Sequence, residues 1–266
     1  MTIGNEILLG LVQDTNSNYL CRVVRGMGGR VRHIAIVRDE INSIAEEVRA
    51  SLSRSPDLIF TCGGLGPTDD DLTLAAVAQA TGRSLELNQQ ARDLIERRYR
   101  ELARAGYVAS ADMSETRLKM ARLPASCRVI ENPIGAAPAI TMEVNASRIV
   151  SLPGVPAEVK GIIEGPLASL LNEIFGRGSY REREMTVDCG DESVLAPALR
   201  QVAAAHPEVY IKSRASRFGR DVMFRINISA SASSADEANR MIECASDDLT
   251  IAFENAGIHQ TKETHS

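Results

Sequence analysis

The 266-residue chain has no tryptophan, and aromatic residues make up only 4% of it. Single strands of nucleic acid are held largely by bases stacked on aromatic rings, and this chain lacks that platform. It also lacks an excess of positive charge: the formal net charge is −5, and no Lys/Arg-rich block stands out. Together these absences exclude a general nucleic-acid binder. The one basic run, Arg97-Arg98-Tyr99-Arg100, is flanked by Glu96 and Glu101 on a helical pattern and reads as a solvated helix face. No apolar run approaches the ~18 residues that would span a bilayer. The first residues lack the basic and apolar regions of a signal peptide. The five cysteines, at positions 21, 62, 127, 189 and 244, form no CxxC pair. That excludes a zinc signature and a disulfide framework and fits a reducing cytoplasm. Most of them are expected as small buried residues. Cys62 has no histidine near it in sequence to activate it as a nucleophile, since the four histidines are scattered at 33, 206, 259 and 265.

What is present is a hydrophobic content of 44%, enough for a substantial core in one large domain, or in one large and one small domain. The most informative stretch is Thr61-Cys62-Gly63-Gly64-Leu65-Gly66-Pro67-Thr68-Asp69-Asp70-Asp71. A strand-like run, Asp57 to Phe60, leads into it, and a helical pattern beginning near Leu72 leaves it. Glycines let a backbone turn sharply and approach a ligand, and unpaired N–H groups at a helix start favour an anion. Three carboxylates at the same place repel a phosphate unless a divalent cation stands between them. Phosphate and metal binding is one reading; a glycine turn followed by aspartates that cap a helix is the other.

Around this turn the chain alternates strand and helix. Asn16 to Met27 reads as a helix stopped by Gly28-Gly29, Arg30 to Val37 as a strand, Glu40 to Ser53 as a helix, Asp57 to Thr61 as a strand and Leu72 to Thr81 as a helix. This rhythm predicts an α/β fold with a parallel sheet covered on both faces, and ligands bind such sheets at the carboxyl ends of strands. Asp39 and the glycine turn both follow strands, so they are expected to converge on one crevice. Asn88 to Gly106 reads as a long helix and Ser114 to Arg122 as another. Strands follow near Arg128–Glu131, Ile140–Val144 and Arg148–Leu152, and a helix opening after Pro153-Gly154 runs to about Phe175. Gly176 to Ser179 reads as a linker. Met185–Val187, Ser193–Ala205, Val209–Lys212, Asp221–Ala230 and Ala235–Asp248 suggest a small β-α-β-β-α unit. The domains are expected at 1–178, 179–254 and, as a frayed polar tail, 255–266.

Four blocks together resemble the MoaB/Mog (molybdopterin-binding) superfamily, and specifically its CinA-like branch. They are Ile3 to Gly10 with Asp14-Thr15-Asn16, the glycine–aspartate turn, Asn132-Pro133-Ile134-Gly135-Ala136-Ala137-Pro138, and Leu152 to Lys160. The resemblance implies a three-layer α/β sandwich around a mostly parallel sheet with a small α+β accessory domain. It also implies a nucleotide- or pterin-like small-molecule ligand, no membrane, and a homodimer. No room is left for the C-terminal amidase domain of full-length CinA proteins, so nicotinamide-nucleotide deamidation is not expected. The activity implied is metal-dependent hydrolysis of ADP-ribose or a related dinucleotide; a non-catalytic binding module and a molybdopterin adenylyltransferase-like protein are the alternatives. The cofactor implied is Mg²⁺, with Mn²⁺ or Co²⁺ also suited.

Carried over residue by residue, Asp71 closes the family's glycine pattern and Asp70 is the second acid of the CinA branch, so both are expected in catalysis. Asp71, Asp70 and Asp39 are the expected metal ligands. Gly63, Gly64, Gly66, Thr68, Glu6, Asn132, Gly135, Pro153 and Gly154 are expected to bind substrate. Asp39 could instead cap the helix from Glu40, Glu6 could tie backbone amides, and Asn16 could cap its helix or touch ligand. Lys160 could offset phosphate charge or be a plain surface lysine. Two departures from the family pattern stand out: Ala139 replaces a glycine, and only Met1-Thr2-Ile3 stand where relatives have a full first strand. A start placed too late, truncating a central strand, is the expectation for the second.

Overall fold

A computed structural model of the chain describes residues 1–176, 178–189, 191–215 and 223–261. The chain folds as two compact units: Met1–Cys21 with Arg32–Ile174, and Arg22–Val31 with Phe175–Ser266. The second unit therefore takes a segment, residues 22–31, that the sequence pattern gives to the first.

The first stretch of chain runs β1 (Thr2–Ile3), α1 (Asn5–Leu8), α2 (Thr15–Gly26), β2 (Ile36–Val37), α3 (Ile41–Ser53), β3 (Leu58–Cys62) and α4 (Thr73–Thr81). It continues with β4 (Leu85–Leu87), α5 (Gln89–Arg104), α6 (Glu115–Lys119), β5 (Arg122–Pro124), β6 (Arg128–Ile130), β7 (Ala139–Val144), β8 (Ser147–Leu152), α7 (Pro156–Glu164) and α8 (Ala168–Phe175). The main sheet has the order β2-β1-β3-β8-β7-β6. β1 pairs in parallel with β2 and β3, and β3 with β8, whereas β7 is antiparallel to both β8 and β6. This is the α/β sandwich on a mostly parallel sheet that the family resemblance implied, with β7 antiparallel where the strand–helix rhythm predicts a parallel sheet.

Helical spacing puts Ile44, Ala45 and Val48 of α3 on one face, where they are buried with Ala76 and Val77 of α4 against Ile59, Met142 and Ile149 of the sheet. α4 stops at Gly82, whose φ of 65° is the left-handed conformation that closes a helix without a side-chain penalty. Asn88 caps α5 by accepting the Ala91 N–H at 3.0 Å, and only Ala91 and Ile95 of that helix are buried. The basic run on α5 is paired, Arg100 with Glu96 at 2.5 Å and Arg98 with Glu101 at 3.0 Å.

Three expected elements differ. The strand anticipated over 30–37 is reduced to Ile36–Val37, because β1 offers only Thr2 and Ile3 as ladder partners. Backbone groups without a neighbouring chain gain nothing from an extended ladder. β1 nevertheless lies between two strands: the Met1 ammonium donates to the Phe60 carbonyl at 2.9 Å, and burial lowers its pKa. The helix expected to reach Phe175 in one piece breaks between α7 and α8 at Gly165-Pro166, since proline cannot donate to the preceding turn. The helix expected over 114–122 ends at Lys119, and Arg122–Pro124 pairs instead with an unanticipated strand, Leu85–Leu87. Of the cysteines, only Cys62 is buried, and all are free thiols.

The second unit carries β9 (Ser179–Asp188), α9 (Glu192–Ala205), β10 (Val209–Ala215), β11 (Met223–Ala232), α10 (Ala235–Asn255) and β12 (His259–Thr261). The antiparallel order β10-β11-β9-β12 is the split β-α-β arrangement. Its core sets Val187, Phe224, Ile226 and Ile228 of the sheet against Leu195 and Val202 of α9 and Leu249 and Phe253 of α10. Of the stretch anticipated as a tail, α10 takes the first residue and His259–Thr261 pairs with β9. Arg177 of the anticipated linker, and residues 262–266, lie outside the described residues.

Candidate functional site

The glycine turn leaves the carboxyl end of β3, and its first glycine is fixed from both sides. The Gly63 N–H donates to the Leu152 carbonyl of β8 at 3.0 Å, and the Thr73 hydroxyl donates to the Gly63 carbonyl at 2.7 Å. Gly63 has φ 104° and Gly64 φ 68°. A Cβ at Gly63 would run into the Ile3 carbonyl, and one at Gly64 into the Thr73 hydroxyl. At Gly66 a Cβ would stand 2.7 Å from an Asp71 carboxylate oxygen. Gly63 is thus committed to the sheet. Among the described residues no hydrogen-bond partner meets the N–H groups of Gly64, Leu65 or Gly66.

Asp70 and Asp71 fold back on the turn and do not cap α4, which has no side-chain cap bond at its N-cap residue Leu72. Asp71 Oδ2 accepts the Thr68 N–H at 2.8 Å and lies 2.6 Å from its hydroxyl. The same hydroxyl lies 2.5 Å from Asp70 Oδ1. One hydroxyl proton serves two carboxylates, so the two acids compete for it, and Asp71 alone also has the Thr68 N–H. The Thr68 hydroxyl holds the Asp70 carboxyl below its ordinary value, helped by its own backbone and by Lys119. Lys119, from α6, donates to the Thr68 carbonyl and is the cation that reaches this turn.

Asp39 follows β2 and does not cap α3, which is preceded by Glu40 without a side-chain bond. Its carboxylate accepts the Asn5 N–H at 2.7 Å. Burial raises its pKa, the charges of Glu6 and Asp70 raise it further, and the Asn5 bond opposes them. Glu6 lies against Gly4, where a Cβ would stand 2.5 Å from Oε1. Asn16 neither caps α2 nor stands free: Asp14 does the capping, accepting the Ser17 N–H at 2.9 Å, and the Asn16 amide donates to the Gly154 carbonyl at 2.7 Å.

The second wall is organised by buried Asn132. Its Oδ1 accepts the N–H groups of Ile134 at 3.0 Å and Gly135 at 2.8 Å, and its Nδ2 donates to the Ala137 carbonyl at 2.9 Å and to Glu158 Oε2 at 2.7 Å. Every hydrogen-bonding position of the amide is filled, so it shapes the loop. Glu158 sits where a side chain at Gly135 would be. Burial pushes the Glu158 carboxyl up, opposed by the Asn132 bond and the charge of Arg98.

These parts enclose a cleft of about 620 Å³. Glu6, Asp39, Gly63, Gly64, Gly66, Asp70, Asp71, Pro153 and Gly154 line it, while Thr68, Asn132 and Gly135 are not among its lining residues. Five carboxylates line it (Glu6, Asp39, Asp70, Asp71 and Glu158), and among the described lining residues there is no Arg, Lys or His. Lys160 lies elsewhere, 3.9 Å from Glu164, and Ala139 is buried in the sheet opposite Ile130. Cys62 is buried with its thiol pushed up to about 12, which removes it as a nucleophile.

The donor set suits a hard divalent cation, because every available ligand is a carboxylate or carbonyl oxygen. Among the described residues no three His, Cys, Asp or Glu groups stand together as a ready cage. Hence the fit is to a hydrated ion on one or two carboxylates, the manner in which Mg²⁺ is commonly shared with substrate phosphates. Of the expected ligands, Asp71 paired with Asp70 or with Asp39 could supply such a pair, but the three do not form one cage.

Sequence reasoning missed Lys119, Tyr99 and Glu158. Tyr99 hides within the basic run, yet it lines the cleft with the Arg117 guanidinium 3.8 Å from its ring centroid. Glu158 looks like an ordinary first-turn acid of α7. Nothing in the one-dimensional pattern pairs it with Asn132.

A family model described as a probable molybdopterin-binding domain matches residues 1–173. A protein of Aeropyrum pernix is 38% identical over 240 residues, 90% of this chain and 86% of that protein. One of Pyrobaculum calidifontis is 35% identical over 264 residues, covering 97% of this chain and 98% of that protein. Among solved structures, the protein CinA with unknown function from Thermoplasma acidophilum is 34% identical with a TM-score of 0.58, covering 64% of this chain and 95% of that chain. With the glycine turn, the Asn132 loop and the Pro153-Gly154 turn gathered around one cleft, and with these matches, the chain belongs to the MoaB/Mog molybdopterin-binding superfamily, in its CinA-like branch.

Proposed function

We propose that the chain is a divalent-metal-dependent nucleotide pyrophosphatase acting on ADP-ribose or a related dinucleotide. One observation carries this reading: Gly64, Leu65 and Gly66, whose N–H groups meet no partner among the described residues, line a cleft whose charged lining groups are all carboxylates. N–H groups of this kind favour a phosphate oxygen. The surrounding acids repel it, so a phosphoanhydride enters only with a cation.

In this reading the Gly64–Gly66 amides hold one phosphate, and Asp71, with Asp70 or Asp39, holds the ion; Mg²⁺ suits these oxygens, as do Mn²⁺ and Co²⁺. A bound divalent ion supplies charge neutralisation at the anhydride and acidifies water. Thr68 fixes Asp70 and Asp71 in place, and Lys119 holds the Thr68 carbonyl. The water oxygen bonds to phosphorus as the bridging P–O bond breaks, giving AMP and ribose 5-phosphate. A cytoplasmic homodimer goes with this reading; no described helix is long and apolar enough to cross a membrane.

The test is incubation of the chain with ADP-ribose and Mg²⁺, Mn²⁺ or Co²⁺, with AMP measured by chromatography. Metal-dependent AMP release is expected; none above a metal-free control with any of the three overturns the reading. The match to a probable molybdopterin-binding domain favours a second reading, a module that holds a pterin or nucleotide without turnover. Ligand-induced thermal stabilisation without product would select it. ATP consumption dependent on molybdopterin would instead select adenylyl transfer.

A further inference from the structure

Gly165 and Pro166 divide one helical stretch into α7 and α8, and the division gives the chain a second helix start away from the cleft. The Leu167 N–H returns to the Ile162 carbonyl at 3.0 Å and the Ala168 N–H to the Gly165 carbonyl at 3.1 Å. The next two N–H groups, of Ser169 and Leu170, meet no hydrogen-bond partner among the described residues. No acidic residue stands in the first turn of α8 to offset their partial positive charge.

Ser169 and Leu170 line a cavity of about 100 Å³ at the β6 edge of the main sheet, together with Arg128 and Thr141. Thr141 is only 6% exposed, and its hydroxyl is buried with no partner among the described residues. A buried hydroxyl left unpaired costs free energy unless something from outside completes it. Arg128 stands directly opposite Thr141 in the β6–β7 ladder, so both side chains rise from one face of the sheet. Among the described residues no hydrogen bond or ion pair engages the Arg128 guanidinium. Glu131 lines the cavity too, but Arg97 of α5 holds its carboxylate. The uncommitted groups are therefore donors: two helix-start N–H groups, a buried hydroxyl and a guanidinium. Such a set suits an oxyanion.

We propose that this cavity binds a tetrahedral oxyanion, held by the Ser169 and Leu170 N–H groups, the Thr141 hydroxyl and the Arg128 guanidinium. Free phosphate and the phosphoryl group of a small monoester share this chemistry. The cavity has no lining residue in common with the cleft. It also differs in kind, because Arg128 supplies the positive charge that the carboxylate-lined cleft must take from a metal ion.

The experiment is calorimetric titration of the full chain, in metal-free buffer at constant ionic strength, with inorganic phosphate and with glycerol 3-phosphate. At least one is expected to bind one-to-one with a Kd of about 1 mM or below, and the tighter of the two names the source. Thr141→Val keeps the shape of the side chain and removes the hydroxyl; about tenfold weaker binding is expected, the scale of one hydrogen bond to a charged group. Arg128→Gln changes an exposed side chain and serves should the buried substitution fail to fold; it is expected to weaken binding about tenfold or more. No saturable binding of either probe up to ~10 mM overturns the site, since the cavity then holds water alone. Binding that both variants leave unchanged overturns it as well, because the anion then sits elsewhere, as it would on the amides of the glycine turn.

Discussion

The glycine–aspartate turn and the Asn132–Pro138 loop border the same cleft, yet they are finished in opposite ways. In the turn, three successive N–H groups have no partner among the described residues and two acids compete for one Thr68 hydroxyl. In the loop, one buried amide makes four hydrogen bonds and leaves nothing over. Unmade hydrogen bonds cost free energy unless water or a ligand completes them. The turn is therefore built to be completed from outside, and the loop to hold another group still.

Breaking either region tests that contrast, starting with the largest effect. Gly63→Ala forces a Cβ onto the Ile3 carbonyl at a φ of 104°, and both obstacles are backbone. The expected loss is on the order of 3 kcal/mol or more in urea unfolding, since left-handed strain and overlap add. A loss well under ~1 kcal/mol would mean that the turn yields. Asn132→Ala removes partners from two N–H groups, a carbonyl and Glu158 at once. Its expected cost is about 3 kcal/mol, measured the same way. Asp71→Asn keeps an acceptor for the Thr68 N–H, so stability should change by under ~1 kcal/mol. AMP release from ADP-ribose should nevertheless fall on the order of 100-fold, because the charge that would hold the ion is gone. A stability loss at Asp71 as large as that at Asn132 would erase the distinction between the two regions.

The turn was legible in the sequence because its requirements are local. Glycines at left-handed positions and three consecutive acids announce themselves without a partner from elsewhere. The strand–helix rhythm that places the turn at the end of β3 is local too. The loop was legible only in part. Asn132 and Gly135 could be marked, but their purpose depends on Glu158, 26 residues from Asn132 and brought there by β7, β8 and the start of α7. Tyr99 was concealed by its charged neighbours on α5, three of which are paired on the surface. The strand expected over 30–37 failed for a third reason. A strand needs a neighbour, and the alternation of Val31, His33 and Ala35 says nothing about how many residues β1 supplies.

The smallest effect separates the regions by the sign of their response to pH. Burial raises the Glu158 carboxyl above its ordinary 4.5, against the Asn132 bond and the Arg98 charge. As pH climbs from that ordinary value, the unfolded chain releases this proton first, so the contribution of Glu158 to stability falls until the folded value is passed. Asp70 behaves in the opposite way, because the Thr68 hydroxyl depresses its pKa below 3.8. Its contribution is present above that ordinary value and is lost as pH falls through the depressed one. Unfolding curves of Glu158→Gln and of the unaltered chain should therefore diverge with rising pH above ~4.5, the variant losing less. Asp70→Asn should close its gap to the unaltered chain as pH falls below ~4. Asp39 is raised as Glu158 is, so only differences between variant and unaltered chain isolate each acid. Parallel curves for Glu158→Gln at every pH would mean that its carboxyl is no harder to ionise in the folded chain than in the unfolded one. The loop would then hold it without the burial that sets it apart from the acids of the turn.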